Sequence, residues 1–207
     1  MNHPHGVLVD TNLHALVQQG VLRASHPLIE GQVQPASVDL RLGPKAYRIQ
    51  AGFLPRAGEP VANYLANLSM YELDLTQPQI FEKGGVYLVP LMESLALPPH
   101  IQGGASPKSS TGRLDIFEGL LLDGVGTYDT VPAGYTGPLY LEISPLTFPI
   151  IARAGDRLSQ LRLRQGDVAV SDAELHQLHA HVPIMRDLYQ PLLEETPPNI
   201  EGGLWFS

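Results

Sequence analysis

Along most of this chain, apolar and polar residues alternate in short runs. Val38, Leu40 and Leu42 face one way, with Asp39 and Arg41 between them. Leu139, Leu141 and Ile143 alternate in the same manner with Tyr140, Glu142 and Ser144. A period of two is the mark of a strand with one buried face. Further strand-like runs are Ala46 to Ala51, Tyr71 to Leu75, Val86 to Leu91, Ser94 to Leu97, Leu114 to Leu122, Phe148 to Ala152 and Arg157 to Arg164. Leu120, Leu121 and Leu122 are uninterrupted, which predicts a fully buried strand. Turn chemistry separates the runs: Gly84-Gly85, Pro98-Pro99, Gly134 to Pro138, and Ala154-Gly155-Asp156, the last read as a hairpin turn. Pro90 is expected to bound its strand. Short strands at roughly ten-residue spacing, with turns between them, predict a mainly β fold, a sandwich or barrel with a few short helices.

Two stretches carry a helical pattern instead. From Asp10 to Gly20, Leu13, Leu16 and Val17 form one stripe, Asp10 is the expected N-cap and Gly20 the stop. Ser171-Asp172-Ala173-Glu174 is a capping box that opens a helix from Asp172 to about His181. Residues 52–69 have no clear period and are expected to run over the surface. From Val182 on, Pro183, Pro191, Pro197 and Pro198 predict a linker or extended arm. The apolar end, Gly202 to Ser207, reads as a strand whose partners lie elsewhere. The expected organisation is one β domain over 1–170 and a helix with an arm over 171–207, leading into a second domain of a longer chain.

Composition narrows the function. The formal net charge is −8, which argues against a nucleic-acid polymer as partner but leaves a nucleotide open, since a triphosphate needs only a few local cations. No apolar run approaches the roughly 18 residues of a membrane-crossing helix, so no membrane partner is expected. His3, Pro4 and His5 stand where a secretory signal would need a basic and then an apolar region, so cytoplasm is the default. Cysteine is absent, which excludes disulfides.

Candidate chemistry sits in Ala105 to Leu114. Within it, Lys108, Ser109, Ser110, Thr111 and Arg113 bring three hydroxyls and two cations behind Pro107 and around Gly112. Hydroxyls, backbone N–H groups and cationic tips suit a phosphate chain. Pro107 is expected at the first position of a short helix, leaving the Ser109 and Ser110 amides unpaired. The same composition also describes a solvated surface turn, and the spacing is not that of a Walker loop. Glu142 is a carboxylate in mid-strand, where Glu is disfavoured; it either faces water on an open sheet or belongs to a site.

Three motifs in order, PASVDLRLG at 35–43, PKSSTGR at 107–113 and GYTGPLYLEI at 134–143, resemble the dCTP deaminases of the dUTPase-like superfamily. Arg157 to Leu161 resembles their closing core strand. The likeness covers about residues 6 to 165, and the wording PKSSTGRLD is most similar to the N-terminal half of double-length members. The resemblance implies a dUTPase-like distorted jelly roll or β-clip barrel and hydrolysis of dCTP to dUTP and ammonia. Glu142 is implied as the proton-shuttling base and Ser109 as the group that positions water. Ser110 and Lys108 are implied at the phosphates, with Arg113 at the site wall and Tyr135 as the aromatic of the turn. Short members carry an Asp three residues before that aromatic, on the sugar 3′-hydroxyl; here Pro132 stands there, so Asp129 or Asp123 from a longer loop is the candidate. Short members also close a Lys and a Gln over the nucleotide, and 166–207 has no match for them.

Mg²⁺ is implied on the triphosphate, dTTP as a regulator, and a homotrimer with sites between subunits. Zinc-dependent cytidine deaminases need cysteine ligands that this chain lacks. His176, His179 and His181 are poorly spaced as ligands, so no protein-bound zinc is expected. Two other functions stay open: a structural or nucleotide-sensing half of a two-domain deaminase, and dUTP pyrophosphate hydrolysis.

Overall fold

The structure is a computed structural model that describes residues 5–166, 170–182 and 199–205. In chain order the elements are β1 (Gly6–Val7), α1 (Asp10–Gln18), β2 (Leu22–Ala24), β3 (Val33–Gln34), β4 (Ser37–Arg41), β5 (Lys45–Ile49) and α2 (Val61–Leu68). There follow β6 (Ser69–Asp74), β7 (Gln79–Phe81), β8 (Val86–Ala96), β9 (Ile101–Pro107), α3 (Ser109–Arg113), β10 (Ile116–Leu122) and β11 (Thr130–Val131). The last are β12 (Thr136–Pro145), β13 (Ile150–Ala152), β14 (Arg157–Gln165), α4 (Asp172–His181), β15 (Asn199–Ile200) and β16 (Leu204–Trp205). The chain is mainly β, and it divides into two compact units after Gly166.

The first unit holds two six-stranded sheets. One runs β11-β9-β14-β4-β3 with β1 on β14; the other runs β10-β12-β8-β5-β6 with β2 on β8. Alternation explains how they meet. Val38 and Leu40 of β4 and Leu161 and Leu163 of β14 share one buried cluster with Leu95, Leu120, Leu122 and Leu139 of the other sheet. Burying one Leu side chain is worth roughly 1.5–3 kcal/mol, so this inter-sheet layer is the main stabilising element. Of the polar residues between them on β4, Arg41 lies 2.8 Å from Glu93 of β8 and donates to the carbonyls of His26 and Pro27. Asp39 pairs with Lys108 and, at 3.3 Å, with Arg157 of β14.

Several local expectations change. The α1 cap is Val9, not Asp10; Asn12 accepts from the Val9 N–H at 3.2 Å, and Asp10 enters the first turn. The runs 86–91 and 94–97 are one strand, because Pro90 sits in β8 with its carbonyl accepting from Gly43. Ala154-Gly155-Asp156 does not join a hairpin: β13 pairs with β7, whereas β14 pairs with β4 and β9. The amides of Ala154 and Gly155 donate instead to the Leu75 and Leu42 carbonyls. Residues 52–69, expected as a plain excursion, contain α2, whose Val61 is fully buried. Pro107 ends β9 and Lys108 caps α3, so the helix begins at Ser109, two residues later than Pro107 would start it.

In the second unit, α4 has the expected box: Ser171 Oγ accepts from the Glu174 N–H at 3.3 Å and the Glu174 carboxylate accepts from the Ser171 N–H at 2.9 Å. Leu204–Trp205 does have a strand partner, Asn199–Ile200. Residues 183–198, which carry the expected proline-rich arm, lie outside the described residues. No described helix is long and apolar enough to cross a membrane.

Candidate active site

Glu142 lies on the outer face of its sheet, yet it is buried. Its cross-strand neighbours are Gly119 on β10 and Leu88 on β8. A third apolar cluster covers this face: Ile49, Val61, Leu88 and Leu121 are buried there, with Phe53, Leu65, Leu68, Tyr128 and Tyr140 against them. The covering residues come from the 52–68 stretch and from the loop 123–129. Glu142 is left 4% exposed, and the open-sheet alternative is thereby removed.

Two glycines make room, one for the carboxylate and one for the ring beside it. A Cβ on Gly52 would stand 2.5 Å from Glu142 Oε1, and a Cβ on Gly119 would stand 2.5 Å from the Tyr128 ring. Burial raises the proton affinity of Glu142 above the ordinary carboxylate range; the Tyr128 hydroxyl and the Phe53 N–H, both close to it, offset part of that. Glu142 Oε2 is buried without a hydrogen-bond partner. The arrangement is a carboxylate in a dry pocket with one acceptor oxygen unspent, which suits a base that takes and returns protons.

Lys108 and Ser109 stand elsewhere. They line a cleft of about 370 Å³ with Ser37, Asp39, Gln160 and Arg162. Asp39 Oδ1 is buried there without a partner while its other oxygen holds Lys108. Ser109, Ser110 and Arg113 are exposed on α3, which Thr111 anchors by donating to the Leu158 carbonyl at 2.8 Å. Among the described residues, no hydrogen bond or ion pair joins this cleft to Glu142.

Asp129 and Tyr135 each bond to the backbone. Asp129 adopts φ 61° and accepts from the Leu120 N–H at 2.8 Å, and burial raises its proton affinity. Tyr135 is not brought to either cavity. It is buried in the inter-sheet core, where its hydroxyl donates to the Pro138 carbonyl at 2.7 Å and accepts from the Asp123 N–H at 3.2 Å. Asp123, the other candidate for the sugar, accepts from the Val61 N–H at 2.8 Å and so caps α2. Among the described residues, no three His, Cys, Asp or Glu side chains gather as a metal site.

Sequence reasoning missed Gly52, Phe53 and Tyr128 around Glu142, and Ser37, Gln160 and Arg162 in the cleft. Gly119 was the available signal, since a glycine inside a strand often marks a close approach.

Residues 4–167 match the family model described as the 2'-deoxycytidine 5'-triphosphate deaminase (DCD) N-terminal domain. The chain belongs to the dCTP deaminase family. A family member from Agrobacterium tumefaciens, solved as a 2'-deoxycytidine 5'-triphosphate deaminase, is 50% identical with a TM-score of 0.80, over 87% of this chain and 55% of that one. The dCTP deaminase of Halorubrum lacusprofundi is 33% identical over 64% of each chain. The dUMP-forming dCTP deaminase of Parafrankia sp. is 30% identical over 76% of this chain and 75% of its own. The chain thus spans little more than half of the Agrobacterium family member and just under two thirds of the Halorubrum one.

Proposed function

We propose that this chain carries the hydrolytic deamination of dCTP to dUTP and ammonia, with Glu142 as the base. The buried carboxylate of Glu142, with Oε2 unspent, is the observation that carries the reading. Glu142 takes a proton from water as the oxygen adds to C4 of the cytosine ring and hands that proton to N3. It then takes the proton of the new C4 hydroxyl and passes it to the exocyclic amino group; the C4–N bond breaks, C4=O forms and ammonia leaves. One carboxylate can serve each transfer when burial keeps its proton affinity near the working range. Ser109 positions the water; Lys108 and Ser110 hold phosphates, with Arg113 at the wall beside them and Asp129 toward the sugar. Mg²⁺ arrives on the triphosphate as part of the substrate.

Because no hydrogen bond or ion pair among the described residues joins the Ser109 cleft to Glu142, the complete site is proposed to form between copies, in the homotrimer that the family resemblance implies.

The test is single-turnover ammonia release from dCTP beside calorimetric binding. Glu142→Gln is nearly isosteric and should keep binding while losing roughly 10²–10⁴-fold in turnover. Lys108→Ala should do the reverse, weakening binding by about 1.5–3 kcal/mol. Near-parental turnover in the Gln variant would take Glu142 out of the mechanism. Product analysis also checks a second reading, dUMP formation, which the name of the Parafrankia relative favours: pyrophosphate beside ammonia would mark it.

A further inference from the structure

We propose that Tyr128 is a positioning residue for Glu142: from its place over Gly119 its hydroxyl steers the carboxyl that must accept the first proton. The inference rests on the reading of Glu142 as the base.

The backbone makes the placement specific. Gly119 is the direct cross-strand partner of Glu142 on β10. The Tyr128 ring lies over Gly119, so close that a Cβ there would meet ring carbons at 2.5, 3.0 and 3.1 Å. Phe117 holds the ring from the side, edge to face, with centroids 5.9 Å apart and planes at 83°. The ring therefore fills the space a side chain at 119 would take, and its hydroxyl comes to the carboxyl of the neighbouring strand. The electrostatics agree in both directions: Tyr128 lowers the proton affinity of Glu142, and after burial itself the Glu142 charge is the largest influence raising that of Tyr128. A neutral phenol beside a carboxylate is a donor fixed in its role, since the phenol does not ionise in the range where the carboxylate does.

Other groups face Glu142 without competing. Tyr140 flanks it on its own strand, Gly119 and Leu121 stand on β10, Leu88 on β8, and the 52–53 backbone lies above. Tyr128 is the ionisable group among the described residues that acts on Glu142, and Asp129 acts in turn on Tyr128. Tyr128 belongs to the 123–129 loop, outside the three family motifs.

Tyr128→Phe removes the hydroxyl and keeps the ring over Gly119, so the fold should survive; a thermal melt checks this. In the full chain, the Glu142 carboxyl can be followed by carbon-detected NMR, its signal identified by its absence in Glu142→Gln. The Phe variant should titrate at higher pH, by roughly one to two units, the worth of one lost hydrogen bond to a charged group. The acid limb of kcat/KM should move upward by the same amount with KM for dCTP within about twofold, because the phosphates hold binding. A purely structural role would leave the titration in place. An unshifted Glu142 titration in Tyr128→Phe, with Glu142→Gln inactive, overturns the part given to Tyr128 and leaves the base assignment standing. Full turnover in Glu142→Gln overturns the base assignment, and with it any role of Tyr128 in the reaction.

Discussion

Glu118 stands in mid-strand on β10 at 4% exposure, on the side that Leu120 and Leu122 turn to the inter-sheet core. Burial pushes its carboxyl up to about 7; the nearby Ser159 hydroxyl offsets part of this and the Asp129 charge adds to it. That hydroxyl is given to the Ser106 carbonyl at 3.3 Å, so neither Glu118 oxygen has a hydrogen bond of full geometry. Between the ordinary value of 4.5 and about 7, the native protein keeps a proton that the unfolded chain releases. Stability therefore falls as pH rises through this window and stays lower above it, by on the order of 3 kcal/mol. Glu118→Gln has no charge to bury. It should match the parent near pH 5 and exceed it at pH 8 in chemical denaturation. Equal pH slopes for the two proteins would show that Glu118 ionises freely in the native state.

The cover over Glu142 is built from two stretches tied to each other. Asp123 Oδ1 accepts from the Val61 N–H, and the Gly124 N–H donates to the Glu59 carbonyl, both at 2.8 Å. Pro60 at the N-cap of α2 has no side-chain oxygen, so Asp123, 62 residues away, does what a capping residue would do. Asp123→Ala should cost about 1 kcal/mol and speed amide exchange across Val61–Leu68 more than across β12. Uniform exchange in the variant would count against a local tie. This tie also explains what the sequence hid. Val61, Leu65 and Leu68 do form a stripe, but the stretch is short and its cap is distant, so no local start signal exists. The strands were readable because alternation is local. The false hairpin at Ala154-Gly155-Asp156 came from the same limit: a turn is visible in sequence, whereas the sheet each flanking strand joins is decided by residues as remote as Leu42 and Leu75. Glu142 could be singled out as a misfit in a strand, but its surroundings come from residues 52, 53, 119 and 128, which no spacing rule connects.

For the whole molecule, the decisive fact is that Ser109, Ser110 and Arg113 are exposed on α3, whereas Glu142 is buried on a strand of the other sheet. Leu114, directly after α3, is 47% exposed, and Leu146, whose N–H donates to the Asp115 carbonyl, is 48% exposed. Apolar surface next to polar groups of a candidate site is what an interface between copies would use. Light scattering at micromolar concentration should give three times the monomer mass. A monomer that still deaminates dCTP would require one chain to bring Ser109 to Glu142 by rearrangement.

The packing of Tyr128 over Gly119 also imposes an order on inheritance. An aromatic ring can arrive at position 128 only after position 119 has become glycine, because a methyl group there would meet the ring at 2.5 Å. Leaving the arrangement requires the opposite sequence, with the ring shrinking before any side chain returns to 119. Gly52 binds Glu142 in the same way. Substitutions at these positions therefore depend on order, and lineages that share the ring should share the glycine beneath it.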